Sequence, residues 1–142
     1  FVKDNLYFFY NLGLLKTEIT EYDSRPELEG RDQAHAPKNS YSLGVKWRPT
    51  KNTYLNANIV GKDSFYYSDS HSNKSKSYYL TNILFGVERG KLRYELWIKN
   101  LFDRYYAVRG FYFGNEPPNF PDTLYERQGD PRHLGIQINY EL

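Results

Sequence analysis

The last nine residues alternate without a break. Leu134, Ile136, Ile138, Tyr140 and Leu142 are apolar or aromatic, and Gly135, Gln137, Asn139 and Glu141 stand between them. A period of two places each set on one face of a strand. The same alternation recurs upstream. Leu6, Phe8, Tyr10, Leu12 and Leu14 share a phase, although Tyr7 and Phe9 blur the second face. Tyr41, Leu43, Val45 and Trp47 alternate with Ser42, Gly44, Lys46 and Arg48, and Leu55, Ala57 and Ile59 alternate with Tyr54, Asn56 and Asn58. Tyr79, Thr81, Ile83, Phe85 and Val87 form a weaker set, because Leu80 and Leu84 fall on the other face. Leu92, Tyr94, Leu96 and Ile98 alternate cleanly with Arg93, Glu95, Trp97 and Lys99. Six strands are predicted, over roughly residues 5–20, 40–48, 53–67, 77–88, 91–107 and 132–142, with no sustained helical period. The last strand is expected to run to the final residue, where soluble domains usually fray.

The connections alternate in length. Arg48-Pro49-Thr50-Lys51-Asn52 and Glu88-Arg89-Gly90-Lys91 are tight turns, and Gly90 can take a positive φ. Glu21–Asn39, Asp69–Lys76 and Val108–Asp130 are long and polar or rich in Gly and Pro. Short turns at one end and long loops at the other are the pattern of an outer-membrane barrel. With the short turns inside, the last strand runs inward and ends on the periplasmic side. A soluble antiparallel sheet with one buried face would alternate in the same way. Against it stand the paired loop lengths and the uncharged polar residues opposite the apolar ones, Asn56, Asn58, Asn82, Gln137 and Asn139, which suit a lumen.

Composition changes this picture in four places. Mean hydropathy is −0.79, and the apolar runs fall far short of the roughly 20 residues a spanning helix needs. That excludes a helical membrane protein but not a barrel, whose strands give only half their residues to lipid. The 15 Tyr, 9 Phe and 2 Trp residues suit a membrane–water boundary, a carbohydrate-binding surface or a strand-rich soluble fold. There is no Cys, which excludes disulfides and thiolate metal sites, and no Met, so the chain is expected to be processed or an excerpt of a longer one. A net charge of +2 is too balanced for a nucleic-acid binder.

Two segments sharpen the class. Trp97-Ile98-Lys99-Asn100-Leu101-Phe102-Asp103-Arg104-Tyr105-Tyr106 precedes a long loop, and Gly129-Asp130-Pro131-Arg132-His133-Leu134 leads into the terminal strand. Together they resemble the C-terminal end of TonB-dependent outer-membrane receptors, where an Asn-Leu-Phe-Asp segment ends the penultimate strand and a Gly-x-Pro-Arg segment opens the last. Ala36-Pro37-Lys38-Asn39-Ser40-Tyr41-Ser42-Leu43-Gly44 resembles the lead-in to an earlier strand of that family. The terminal residue is Leu142 where the family has an aromatic; Tyr140 supplies one two residues earlier on the same face.

The resemblance implies an all-β fold: an antiparallel, up-and-down transmembrane segment forming the six or so C-terminal strands of a barrel of about 22. Residues 1–142 would be the C-terminal part of that barrel domain, with the plug domain outside this chain. It implies active uptake of a scarce nutrient, a ferric siderophore first among them, energised through TonB, in the bacterial outer membrane. Implied partners are outer-membrane lipid, the remaining strands and plug of the same receptor, TonB through the missing N-terminal part, and an iron chelate or other small nutrient. Asn100, Leu101, Phe102, Asp103, Gly129, Pro131, Arg132, Tyr140 and Leu142 would then be structural. Pro131 is expected at the first position of a strand, where its missing N–H costs no ladder bond. Arg132 is expected near the outer rim, and Phe102, Tyr105 and Tyr106 in or near an aromatic girdle.

No catalytic constellation is visible. His35, His71 and His133 are far apart, with no metal-ligand spacing, no nucleophile elbow and no phosphate loop. No enzyme, resident metal or cofactor is therefore expected. Recognition belongs to the long loops of a rigid scaffold. The candidate ligand-binding residues are Arg31, His35, Tyr66, Tyr67, His71, Arg109, Tyr112 and Phe113, in which rings and guanidinium groups could hold an aromatic, anionic or sugar-like ligand. The same rings could instead form the girdle or pack loop against loop. Two other classes stay open: a passive porin-like or adhesive barrel, and a soluble β-rich module binding glycans through its Tyr-rich surface.

Overall fold

The computed structural model describes residues 2, 3 and 5–142. Nine strands follow in order: β1 Val2–Lys3, β2 Leu6–Leu14, β3 Asn39–Thr50, β4 Thr53–Lys62, β5 Tyr78–Arg89, β6 Leu92–Lys99, β7 Ala107–Phe113, β8 Thr123–Gln128 and β9 His133–Tyr140. Seven of them form one antiparallel sheet in the order β1-β2-β3-β4-β5-β6-β9, and β7 and β8 form a separate hairpin. The β3–β4 and β5–β6 turns are tight as expected, and Gly90 takes a φ of +60°.

Register turns the alternation into rows. Leu6, Trp47, Leu55, Phe85, Leu96 and Ile136 stand opposite one another across six strands, and Phe8, Val45, Ala57, Ile83, Ile98 and Leu134 form the next row. A slip of one residue in any strand would send its apolar set to the other face. The opposite face carries Lys46, Asn56, Asn58, Asn82, Glu95, Gln137 and Asn139. There the Asn82 side-chain amide donates to Asn58 Oδ1 at 2.9 Å, and the Tyr54 hydroxyl donates to Glu95 Oε1 at 2.5 Å. At the tight-turn end, Arg48 makes a forked contact with Glu88 at 3.1 and 3.3 Å, and Arg93 approaches the same carboxylate at 3.6 Å. Gly86 and Gly135 on this face are sites of close approach: the rings of Tyr54 and Trp97 lie where a Cβ would stand.

The sheet has no core of its own. The buried apolar residues among those described are Leu28, Phe65 and Tyr67, all in the long loops. Ile136 is 74% exposed. The chain exposes 10392 Å² at 16.9 kDa, where a folded soluble monomer of that mass exposes about 7,700 Å². The excess is what an uncovered apolar sheet face produces.

Seven expectations need correction. A seventh strand, β1, lies before the first predicted one and pairs Val2 with Tyr7. β2 ends at Leu14 and β4 at Lys62, short of residues 20 and 67, because the chain beyond turns into loop packing. β6 stops at Lys99 rather than 107, because Asn100 and Asp103 take φ of +49° and +50° and break the strand. The stretch 108–130, read as loop, contains the β7–β8 hairpin, whose own connection holds Pro117, Pro118 and Pro121. β9 ends at Tyr140, so Glu141 and Leu142 lie outside the strand, although the Glu141 N–H still donates to Lys91 O at 2.9 Å. Pro131 precedes β9 by two residues instead of opening it.

Candidate functional site

The three long loops, residues 15–38, 63–77 and 100–132, leave the same end of the sheet and pack into a cap. Its centre is made by side chains that bind backbone. Arg31 donates from Nη1 to His71 O at 2.9 Å and from Nη2 to Ser68 O at 2.7 Å, and its guanidinium carbon lies 4.1 Å from the Tyr66 ring centroid. Arg25 donates to Ser70 O at 2.7 Å. Two arginines of the first loop thus hold the carbonyls of one turn in the second. Charge-assisted bonds of this kind contribute more than neutral ones.

Tyr66 is the node between these loops. It bridges Ala34 in parallel and Lys74 in antiparallel fashion, and Lys74 Nζ also lies 4.1 Å from its ring centroid. His35 takes a φ of +57°, donates its N–H to Tyr66 O at 2.9 Å and sets its ring 5.3 Å from Phe65. Tyr67 is buried and ties in the third loop: its hydroxyl donates to Glu126 Oε1 at 2.6 Å, and its ring covers Gly110. Burial first, then the Glu126 carboxylate, push the Tyr67 hydroxyl above its ordinary value.

His71 joins the second and third loops. Its ring stacks on Tyr112 with centroids 3.5 Å apart and planes 8° from parallel. Nδ1 lies 2.9 Å from Ser70 Oγ, and Nε2 lies 3.7 Å from Asp122. The Tyr112 hydroxyl and Arg31 Nε are buried without a hydrogen-bond partner among the described residues. The cap therefore brings together Arg31, His35, Tyr66, Tyr67, His71 and Tyr112. It leaves Arg109 and Phe113 apart: they alternate with Tyr112 along β7 and take the hairpin's other face, where Phe113 packs edge-on against Phe111 at 5.4 Å. Arg25, Lys74, Asp122 and Glu126 belong to the cap but were not singled out in the sequence, where a charged loop residue carries no signal of its partner.

The two terminal motifs form one turn unit. Asn100, 3% exposed, accepts the Arg104 N–H at Oδ1 (2.9 Å) and donates from Nδ2 to Arg104 O (3.0 Å) and Asp130 O (3.1 Å), while its own N–H donates to Asn82 Oδ1 (3.1 Å). The Leu101 N–H donates to Thr81 O at 2.9 Å. Asp103 Oδ1 accepts the Arg132 N–H at 2.7 Å, and the Gly129 N–H donates to Tyr106 O at 2.8 Å. Phe102 and Tyr105 are exposed. Tyr106 is not: it turns onto Tyr78, with centroids 4.4 Å apart, and covers Gly129. Tyr140 pairs with Leu92, and Leu142 is fully exposed.

A seven-stranded antiparallel meander with one apolar face, one polar face, tight turns at one end and a cap of long loops at the other is the fold of the barrel wall of TonB-dependent outer-membrane receptors. Three of the solved structures it is similar to show this in particular. The siderophore receptor PiuA from Acinetobacter baumannii superposes with a TM-score of 0.80 at 16% identity, over 98% of this chain and 20% of that one. The ferric citrate transporter FecA in its unliganded form gives 0.75 at 21% identity, over 96% and 21%. The ferric-catecholate import receptor Fiu from K12 E. coli gives 0.71 at 16% identity, over 98% and 19%. The chain spans about a fifth of the length of these solved chains. No family model matches it.

Proposed function

We propose that this chain is the C-terminal part of the barrel domain of an outer-membrane receptor that imports a scarce nutrient, a ferric siderophore or similar iron chelate first among them. The observation that carries the reading is the uncovered apolar face, in register from β2 to β9 and backed by a polar face. Its height fits a membrane. The 10 residues of β4 rise about 33 Å at ~3.3 Å each. Tilted by roughly 45°, they span about 23 Å, close to the ~25 Å apolar band of such barrels. The structural neighbours, a siderophore receptor, a ferric citrate transporter and a ferric-catecholate import receptor, support this substrate class.

In this reading the polar face lines a lumen shared with a plug and with the remaining strands, and energy arrives through TonB rather than through any residue of this chain. The cap residues divide by role. Arg31, Tyr66, Tyr67, His71 and Tyr112 hold the loops together, which leaves Arg109 and Phe113, with their exposed face of β7, as the contacts a ligand meets first. The test is growth of a strain lacking the encoding gene under iron limitation, with single ferric chelates as the iron source. Loss of use of one chelate, restored by the gene only where TonB is intact, is the expected result. Restoration without TonB, together with swelling of receptor-loaded liposomes in small sugars, would overturn it in favour of a passive pore.

A further inference from the structure

The β7–β8 hairpin is a sheet of its own, anchored at its base and held along its length by side chains. At the base, the Gly129 N–H donates to Tyr106 O at 2.8 Å, and the Tyr106 ring lies 4.4 Å from that of Tyr78. Just above, between Ala107 and Arg109, the pairing with β8 shifts register, an irregularity at which a ribbon bends. Among the described residues, no backbone hydrogen bond joins residues 107–128 to the first or second loop. Two ties hold the hairpin there instead. In one, Tyr67 covers Gly110 and donates to Glu126 Oε1 at 2.6 Å. In the other, His71 stacks on Tyr112 at 3.5 Å and sets Nε2 3.7 Å from Asp122 Oδ2.

The second tie contains the side-chain type that changes charge between about pH 5 and pH 8. From its own loop, the Ser68 and Ser70 hydroxyls lie 3.3 and 2.9 Å from His71 Nδ1, and Asp69 accepts the Ala34 N–H. From the first loop, Arg31 donates to His71 O and Arg25 to Ser70 O. These groups stay beside His71 whether or not the hairpin is docked. Their effect on its proton is therefore the same in both states and cancels from the docking equilibrium. The groups that arrive with the hairpin decide the sign. Glu126 is taken by Tyr67, and Arg109 and Arg127 lie on the hairpin's other face. Asp122 is an anion and Tyr112 offers the negative face of its ring, and both favour imidazolium over imidazole. The His71 and Asp122 side chains are 29% and 73% exposed, so the charge keeps part of its water on docking.

We propose that the hairpin is a hinged flap whose docking onto the second loop is strengthened by protonation of His71. With the ring charged, the stack on Tyr112 becomes a cation–π contact and the approach to Asp122 an ion pair. With the ring neutral, the Tyr67 tie and the apolar part of the stack remain. Each gained contact corresponds to about threefold. Together they make docking about tenfold tighter at the acid end of the range, or about 1.4 kcal/mol. The consequence, though not the latch, rests on the receptor reading above. Arg109 and Phe113 ride on the flap, so mild acid fixes the face that a ligand meets first and mild alkali frees it.

The test uses the whole receptor, with any cysteine elsewhere replaced and spin labels at Ser72→Cys in the second loop and Asn115→Cys in the hairpin's connection, both exposed positions. Double electron–electron resonance reads the distance between the labels from about pH 5 to about pH 8. One distance should dominate at the acid end and a second should grow toward the alkaline end, with the ratio changing by about tenfold. His71→Phe keeps a stacked ring with no proton to gain and should hold one ratio throughout. Asp122→Asn should keep about threefold of the change, and His35→Gln should behave as the wild type. Tyr67→Phe removes the other tie and should enlarge the undocked share at every pH, which brings the ratio into range. A ratio independent of pH in both the wild type and Tyr67→Phe, a response that survives in His71→Phe, or one lost in His35→Gln would overturn the proposal. The labels read the latch whatever the receptor imports, and growth on ferric chelates reads the import, so either can fail without the other.

Discussion

Replacing Asn100 with Ala is the sharpest test of the turn that closes the sheet. The side chain makes three hydrogen bonds, at 2.9, 3.0 and 3.1 Å, all to backbone groups of Arg104 and Asp130. Each contributes about 0.5–1.5 kcal/mol net. The residue also sits at a φ of +49°, where an L-residue without a short polar side chain loses roughly 1–2 kcal/mol. Together the losses come to about 4 kcal/mol. Asn100→Gly removes the bonds without the conformational cost and should lose about 1–2 kcal/mol less than the Ala variant. Hydrogen exchange reads this locally, because the Arg104 N–H is held only through Asn100 Oδ1 in this turn. In the intact receptor, exchange over residues 100–106 should quicken by at least about tenfold in both variants, and more in Ala than in Gly, at tenfold per 1.4 kcal/mol of local opening. Unchanged exchange in this segment would show that the turn is held by the strands around it and that the Asn100 bonds follow from the fold rather than enforce it.

Ile136→Lys places a charge on the outward face and should cost about 2–4 kcal/mol near the bilayer midplane, while Gln137→Lys, on the polar face, should be tolerated; the heat-modifiable folded fraction in outer membranes reads the difference. Arg31→Ala removes two bonds to the carbonyls of Ser68 and His71, so trypsin should cut after Lys74 and Lys76 at least about tenfold faster, since even one bond to a charged group contributes roughly 1.5–3 kcal/mol and about 1.4 kcal/mol is tenfold. The Tyr67 hydroxyl is raised in the folded chain, so the folded state favours its protonated form. Its contribution is full below the ordinary tyrosine value of about 10 and declines as pH rises beyond it. Near-ultraviolet dichroism of the cap should therefore weaken above about pH 10 in the wild type, and the decline should be shallower in Tyr67→Phe.

The sheet was legible in the sequence because a strand with one apolar and one polar face sorts its residues with a strict period of two, whatever covers the apolar face. Rows such as Leu55, Phe85, Leu96 and Ile136 need only the period of two and the tight turns at Lys51-Asn52 and Gly90-Lys91. The strand ends were less legible. Phe65 and Tyr67 continue the alternation of β4, yet they are buried in loop packing instead. Asn100 and Asp103 read as ordinary polar positions, because nothing in their identity announces a positive φ. The β7–β8 hairpin was hidden by the prolines of its own connection. In the cap, the aromatic residues were visible and their partners were not. The stack of His71 on Tyr112 joins residues of two different loops, and no local pattern encodes such a meeting. Arg31, His35, Tyr66, Tyr67, His71 and Tyr112 meet in the cap while Arg109 and Phe113 stand apart from it, and residue type alone does not say whether such side chains face a ligand or one another.

That the buried apolar residues Leu28, Phe65 and Tyr67 all lie in the loops makes the molecule two materials joined end to end. The cap is an ordinary aqueous structure, held by burial, ion–carbonyl bonds and stacked rings, and it should answer to urea, pH and salt. The sheet has its apolar interior outside itself and should answer to acyl-chain length and detergent. A thinner bilayer or a harsher detergent can therefore loosen the wall while the capping loops stay ordered, and a denaturant can open the loops while the wall still stands.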